Sequence, residues 1–206
     1  MFDPETFDAA LEDGEAQLPL FRDALEGAHK NLKDRFLAGE PVSRLVTDRA
    51  RLIDALLVRT WRLSGLREDR MALIAVGGYG RGGLHPHSDI DLQLLVEPGA
   101  AEQARESIER FLLFLWDIGL EVGHSVRTVE DCVRESEQDI TVATNLMESR
   151  RLIGSEPLYE AMREATGPDR LWSSRAFFEA KWQEQIARHH KFHDTAYNLE
   201  PNVKEG

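Results

Sequence analysis

The stretch AVGGYGRGGLHPHSDIDLQLLV, Ala75 to Val96, constrains this chain more than any other part of it. The runs Met71–Val76 and Ile90–Val96 are short, apolar and partly β-branched, and Gly, Pro and Ser bound them, so they read as strands. The glycine-rich segment between them is too short for a long crossover helix. Residues two apart on a strand point to the same side, so Asp89 and Asp91 present two carboxylates to one place while Ile90 and Leu92 face the core. Unpaired like charges that close repel one another and raise a pKa. A divalent cation between them makes the arrangement favourable, and an oxygen-only set suits magnesium or manganese. Glycines directly after a strand let backbone amides approach a phosphate closely, and Arg81 can add a charge-assisted contact. Either feature alone is weak, because glycine turns join many strands and an Asp-x-Asp is more often a solvated strand end. Together, a phosphate cradle followed by a metal pair describes a nucleoside-triphosphate site.

The flanking sequence supplies helices. The opening residues MFDPETFDAALEDGEAQ are acidic and weakly patterned and read as a loose arm that settles into a helix only near its end. From Leu18 to Leu37 apolar residues, including Phe21, Leu25 and Phe36, recur every three or four positions, which marks an amphipathic helix ended by Gly39 and Pro41. A second helix from Ser43 to Leu63 makes an antiparallel hairpin with it. After the glycine segment, Ala101–Ile118 reads as a helix with Phe111, Leu115 and Trp116 on its buried side, and Leu120–Thr128 as a third strand. Thr128 caps a short helix, DITVATNLMESR is a further helix, RLIG is a short edge strand, and Ser155 caps a helix to about Ala165. A long helix from Pro168 to about Ala196 then carries Trp172, Phe177, Phe178 and Trp182 at core spacing. The expected fold is α+β: a small mixed sheet flanked by helices, with a helical hairpin before it and a helical segment after it. The expected division is 1–66, 67–154 and 155–206.

Charge and cysteine content narrow the function classes. A net charge of -12 argues against a protein that coats nucleic acid through bulk electrostatics. One cysteine, Cys132, cannot close an intrachain disulfide, and no apolar run approaches membrane-spanning length, so a cytoplasmic setting with no membrane partner is expected. His189 and His193 are four apart on a helix, but no third ligand accompanies them, which weighs against zinc.

The segment GGYGRGGLHPHSDIDLQLLV resembles the nucleotidyltransferase motif of the DNA polymerase beta superfamily, in which a Gly-Gly or Gly-Ser turn precedes an Asp-x-Asp strand. Its fuller form, with LWDIGLEVGHSVRT, ATNLMESRRLIG and YNLEPNVKEG further on, is similar to the protein-PII uridylyltransferase family. The resemblance runs from about Met71 to Gly206. It implies magnesium-dependent transfer of UMP from UTP to a tyrosine of the PII signalling protein, releasing pyrophosphate. By the same resemblance Gly77, Gly78, Arg81 and Ser88 hold the nucleotide and Asp89 and Asp91 the metal. Two-metal chemistry calls for a third carboxylate. Glu121, in the third strand, is the candidate; Asp117 and Asp139 are alternatives, because related adenylyltransferases place this acid where the present chain has Gly123. The family continues into a phosphohydrolase domain and paired ACT domains, so the chain is expected to be an N-terminal fragment without uridylyl-removing activity or a glutamine response. Two other readings stay open: a silent nucleotide-binding or PII-docking module, and a relative that uses ATP or a small-molecule acceptor.

Overall fold

The computed structural model describes residues 2–191. Three helices come first: α1 (Pro4–Glu12), α2 (Gln17–Leu37) and α3 (Val42–Leu63). The sheet is then laid down by β1 (Met71–Ala75), the one-turn helix α4 (Gly77–Gly80), β2 (Ile90–Val96), α5 (Ala100–Gln103), α6 (Arg105–Asp117) and β3 (Val122–Arg127). It is completed by α7 (Val129–Gln138), α8 (Ile140–Met147) and β4 (Arg150–Gly154), after which come α9 (Glu156–Ala165), α10 (Pro168–Leu171) and α11 (Ser174–Lys191). The strand order is β3-β2-β1-β4. β1 is antiparallel to both its neighbours, and β2 and β3 are parallel, joined through α5 and α6. The expected small mixed α+β sheet is therefore present.

The alternation of β1 divides the core. Leu73 and Ala75 enter a large cluster with Phe21, Ile53, Leu57, Trp61 and Phe111 from the helices of one face. Ala72 and Ile74 enter a smaller cluster on the other face, with Cys132, Leu146, Tyr159 and Met162. Each fully buried side chain of this size stabilises by about 1.5–3 kcal/mol, so both faces hold the sheet rigid beneath whatever its ends carry.

Three expectations are corrected. The opening residues form α1 from Pro4 onward, rather than a loose arm with a helix only near its end, because Asp3 accepts the Glu5 N–H at 3.2 Å as a cap and Phe7 is buried edge-on against Phe21. Arg59 locks this helix down by donating twice to Asp8, at 2.6 Å each. The helix expected over Ala101–Ile118 breaks at Ala104, and Trp116 is 51% exposed, its ring near His124 on the edge strand β3. The long final helix is interrupted at Trp172, whose backbone is extended and whose indole N–H donates to the Ser136 carbonyl at 2.9 Å. Beyond that break, Phe178 and Trp182 stack on each other and are 66% and 53% exposed, not core.

Candidate active site

Asp89 and Asp91 stand at the start of β2, where the chain enters the sheet from the glycine segment. Gly77, first after Val76, has φ +57, a region L side chains rarely occupy. A Cβ there would stand 3.1 Å from Asn145 Oδ1 and 3.8 Å from Asp91 Oδ2. The backbone of the turn thus faces Asp91 and Asn145 directly. Gly78 is exposed, with the Arg81 guanidinium 3.6 Å from where its Cβ would be. Arg81 itself donates to Glu148 Oε2 at 2.6 Å. Asp91 is the register partner of Gly123 on β3, and a Cβ on Gly123 would come within 2.6 Å of Asp91 Oδ1. The missing side chain at 123 is what lets the strand pass the carboxylate.

The turn is held from beneath by a network that sequence reasoning missed. The buried Tyr79 hydroxyl donates to Asp54 Oδ1 at 2.5 Å. Arg150 donates to both oxygens of the same carboxylate, at 2.8 and 3.1 Å, with its guanidinium carbon 5.7 Å from the centre of the Tyr79 ring. Burial, then the charge of Asp54, pushes the Tyr79 hydroxyl well above the usual phenol range, so it stays a neutral donor. Helix α3, the glycine turn and edge strand β4 are thereby pinned together. A Cβ on Gly80 would overlap the Glu148 carbonyl oxygen, so the turn also rests directly on the backbone that ends α8. Of these residues Asn145 and Arg150 fall inside ATNLMESRRLIG, the run that carried part of the family resemblance, whereas nothing in the sequence pointed to Asp54.

On the Asp89 side the site opens. A cavity of about 760 Å³ lies between α2, α3 and the segment leading into β2. Asp89, Ser88 and Glu121 line it, together with apolar residues of the two helices. Glu121 precedes β3 by one residue, and the pairing of Ile90 with Val122 places it opposite Asp89. Ser88 is thus on the cavity wall rather than in the turn of Gly77 and Gly78. The helices contribute His29, Lys33 and Arg49 to the same cavity. Arg49 Nε is buried without a hydrogen-bond partner. Burial, then repulsion from Arg49 and His87, lowers the His29 pKa. His87 has φ 64, the left-handed region, in the loop that delivers Asp89.

The other candidate acids lie on different elements. Asp139 caps α8 by accepting the Thr141 N–H at 2.7 Å. Asp117 ends α6, and its backbone carbonyl accepts from Arg22 Nε at 2.9 Å. Among the described residues no three His, Cys, Asp or Glu side chains converge as metal ligands. Magnesium in nucleotide enzymes is commonly held by one or two carboxylates together with substrate phosphates. Two carboxylates beside a glycine turn fit that mode. The His189 side chain and His193 lie outside the described residues.

Comparison with known proteins gives this geometry a lineage. A family model described as a nucleotidyltransferase domain matches residues 63–153, and one described as GlnD PII-uridylyltransferase matches residues 176–206. The chain is 49% identical over 207 residues to the bifunctional uridylyltransferase/uridylyl-removing enzyme of Nitrosococcus oceani, covering 100% of this chain. It is 50% identical over 207 residues to that of Pseudomonas entomophila and 51% identical over 205 residues to that of Azotobacter vinelandii. It belongs to the uridylyltransferase family. The family match extends through the N-terminal helices as well as the sheet, since the alignments cover 99–100% of this chain. The chain spans 23% of the length of these relatives. Among the described residues no helix is long and apolar enough to cross a membrane.

Proposed function

We propose that the chain transfers UMP from UTP to a tyrosine of a PII signalling protein, with release of pyrophosphate. The observation that carries this reading is the approach of the Gly77 backbone to Asp91 near the start of β2, with Asp89 one residue before that strand. The backbone amides of Gly77 and Gly78, with Arg81, hold the triphosphate against the turn that Tyr79, Asp54 and Arg150 keep in place. Magnesium held by Asp89 and Asp91 would neutralise phosphate charge and make the attacking hydroxyl more acidic. Glu121, opposite Asp89, takes the hydroxyl proton. No covalent enzyme intermediate is needed, since positioning and charge stabilisation account for most phosphoryl-transfer catalysis.

The test uses the chain, magnesium, labelled UTP and a PII protein, beside the Asp89→Asn/Asp91→Asn variant. Label should reach the PII protein with the wild-type chain and not with the variant, while the variant keeps the wild-type circular dichroism spectrum. Undiminished labelling by the variant would remove the metal pair from the mechanism. UTP binding without pyrophosphate release by the wild-type chain would instead favour the silent module, and equal use of ATP would assign the nucleotide differently.

A further inference from the structure

The carboxylate pair has two unlike neighbours. Asp91 faces the Gly77 turn, and Asp89 faces the cavity. In an in-line displacement the attacking and leaving oxygens lie on opposite sides of the phosphorus. With the triphosphate on the glycine turn, the attacking hydroxyl has to arrive from the side away from that turn. The cavity is the recess on the Asp89 side, and its wall also carries Glu121. Its volume of about 760 Å³ is larger than one aromatic ring needs and falls within the usual range for bound ligands, roughly 300–1,000 Å³. Its lining combines apolar side chains such as Leu45, Val46 and Leu84 with the cationic Lys33 and Arg49 at one part of the wall and the acidic Asp89 and Glu121 at the strand ends. Arg49 lines the cavity and has no carboxylate paired with it among the described residues, so an acidic group entering with the ligand would meet an unneutralised guanidinium.

We propose that this cavity is the acceptor subsite: it admits the tyrosine-bearing turn of the protein substrate, with the ring against Leu45, Val46 and Leu84 and an acidic group of the same segment on Arg49. The inference rests on the reading that the acceptor is a PII tyrosine. In the transfer, the phenolic oxygen forms a bond to the α-phosphorus as the bond from that phosphorus to the bridging oxygen breaks. Pyrophosphate leaves with that electron pair, and the phenolic proton passes to Glu121. The uracil base is then accommodated elsewhere than in this cavity.

Two variants test it. Arg49→Gln removes the cation and Val46→Trp fills the recess. Dissociation constants for Mg–UTP and for a PII protein are measured separately by calorimetry, together with KM for each substrate. Both variants should bind UTP within about twofold of wild type, which also reports that the fold and the nucleotide site are intact. Both should weaken PII binding and raise its KM about tenfold or more, the size of one lost charge-assisted contact. Loss of UTP affinity with PII affinity unchanged would make the cavity a base pocket and overturn the proposal, and so would wild-type values for both substrates. A wild-type chain that binds UTP but neither binds nor labels a PII protein would overturn the functional reading itself. That failure appears before any variant is compared, so the two are distinguishable.

Discussion

The two halves of the site obey different rules. Around Asp91 the chain is closely packed: Gly123 leaves only the space of a hydrogen beside its carboxylate, Gly77 sits against Asn145, and Gly80 rests on the Glu148 carbonyl. Around Asp89, two residues earlier and just before the strand begins, the walls stand back and a cavity begins. On the reading proposed above, the packed half holds a triphosphate in one geometry and leaves no room for a second substrate. The open half can admit one but depends on its neighbour for precision. A transferase with a large acceptor needs both properties within a single strand turn, and the glycine pattern confines tight packing to one side.

Substitutions should separate the halves. The largest effect on stability is expected from Gly80→Ala, whose methyl would overlap a backbone carbonyl that cannot swing away. A loss of about 3 kcal/mol or more is expected, read from urea midpoints. A midpoint like that of wild type would show that the turn is less firmly seated than its contacts suggest. Next, Asp54→Ala strands Arg150 and the Tyr79 hydroxyl and should cost about 3 kcal/mol. Its UTP affinity should fall with it, since the turn loses its anchor. In the open half the pattern reverses. Glu121→Gln should lower kcat roughly 100-fold, the scale of a lost general base, while the exposed position leaves the melting temperature unchanged. Turnover at the wild-type rate would take the proton-accepting role from Glu121.

The smallest effect lies outside both halves and calibrates them. Asp131 and Thr128 form a reciprocal cap at the start of α7, and Asp131→Asn should cost about 1 kcal/mol at neutral pH. The Thr128 backbone N–H, then its hydroxyl and Arg134, hold the Asp131 carboxyl down to about 2. Because the folded value is depressed, this stabilisation is present above the ordinary carboxylate range and is lost as pH falls toward about 2. Thermal melts should show the gap between wild type and variant closing below about pH 4. A gap that persists into strong acid would mean that the charge of Asp131 contributes little to the cap.

Much of the architecture was legible because it depends on local periodicity. The hairpin helices, all four strands and the caps at Thr128 and Ser155 follow from spacings of two and of three to four residues. The carboxylate pair and the glycine turn were legible for the same reason, being contiguous in sequence. What escaped depends on contacts between distant residues. Asp54 meets Arg150 across 96 positions, and no local pattern distinguishes it from any other acid on a helix. Arg49 likewise reads as one more arginine on α3 until the fold sets it in the cavity. Phe178 and Trp182 failed in the opposite sense. Helical spacing shows which residues share a face, and it is silent on whether anything covers that face.

The position of β4 has a consequence for the order in which this molecule assembles. β1 and β2 are joined by a short segment and can pair as soon as both exist, but Arg150 and the strand that carries it come more than fifty residues after β2. Until that strand docks on the far side of β1, Tyr79 and Asp54 lack their cation and the glycine turn has nothing to rest on at Glu148. During synthesis the glycine turn is therefore a late product, completed only after residue 154 has left the ribosome, although its own residues were made long before. Limited proteolysis of chains ended at residue 147 and at residue 166 would show this as a glycine segment that is cut in the first and protected in the second.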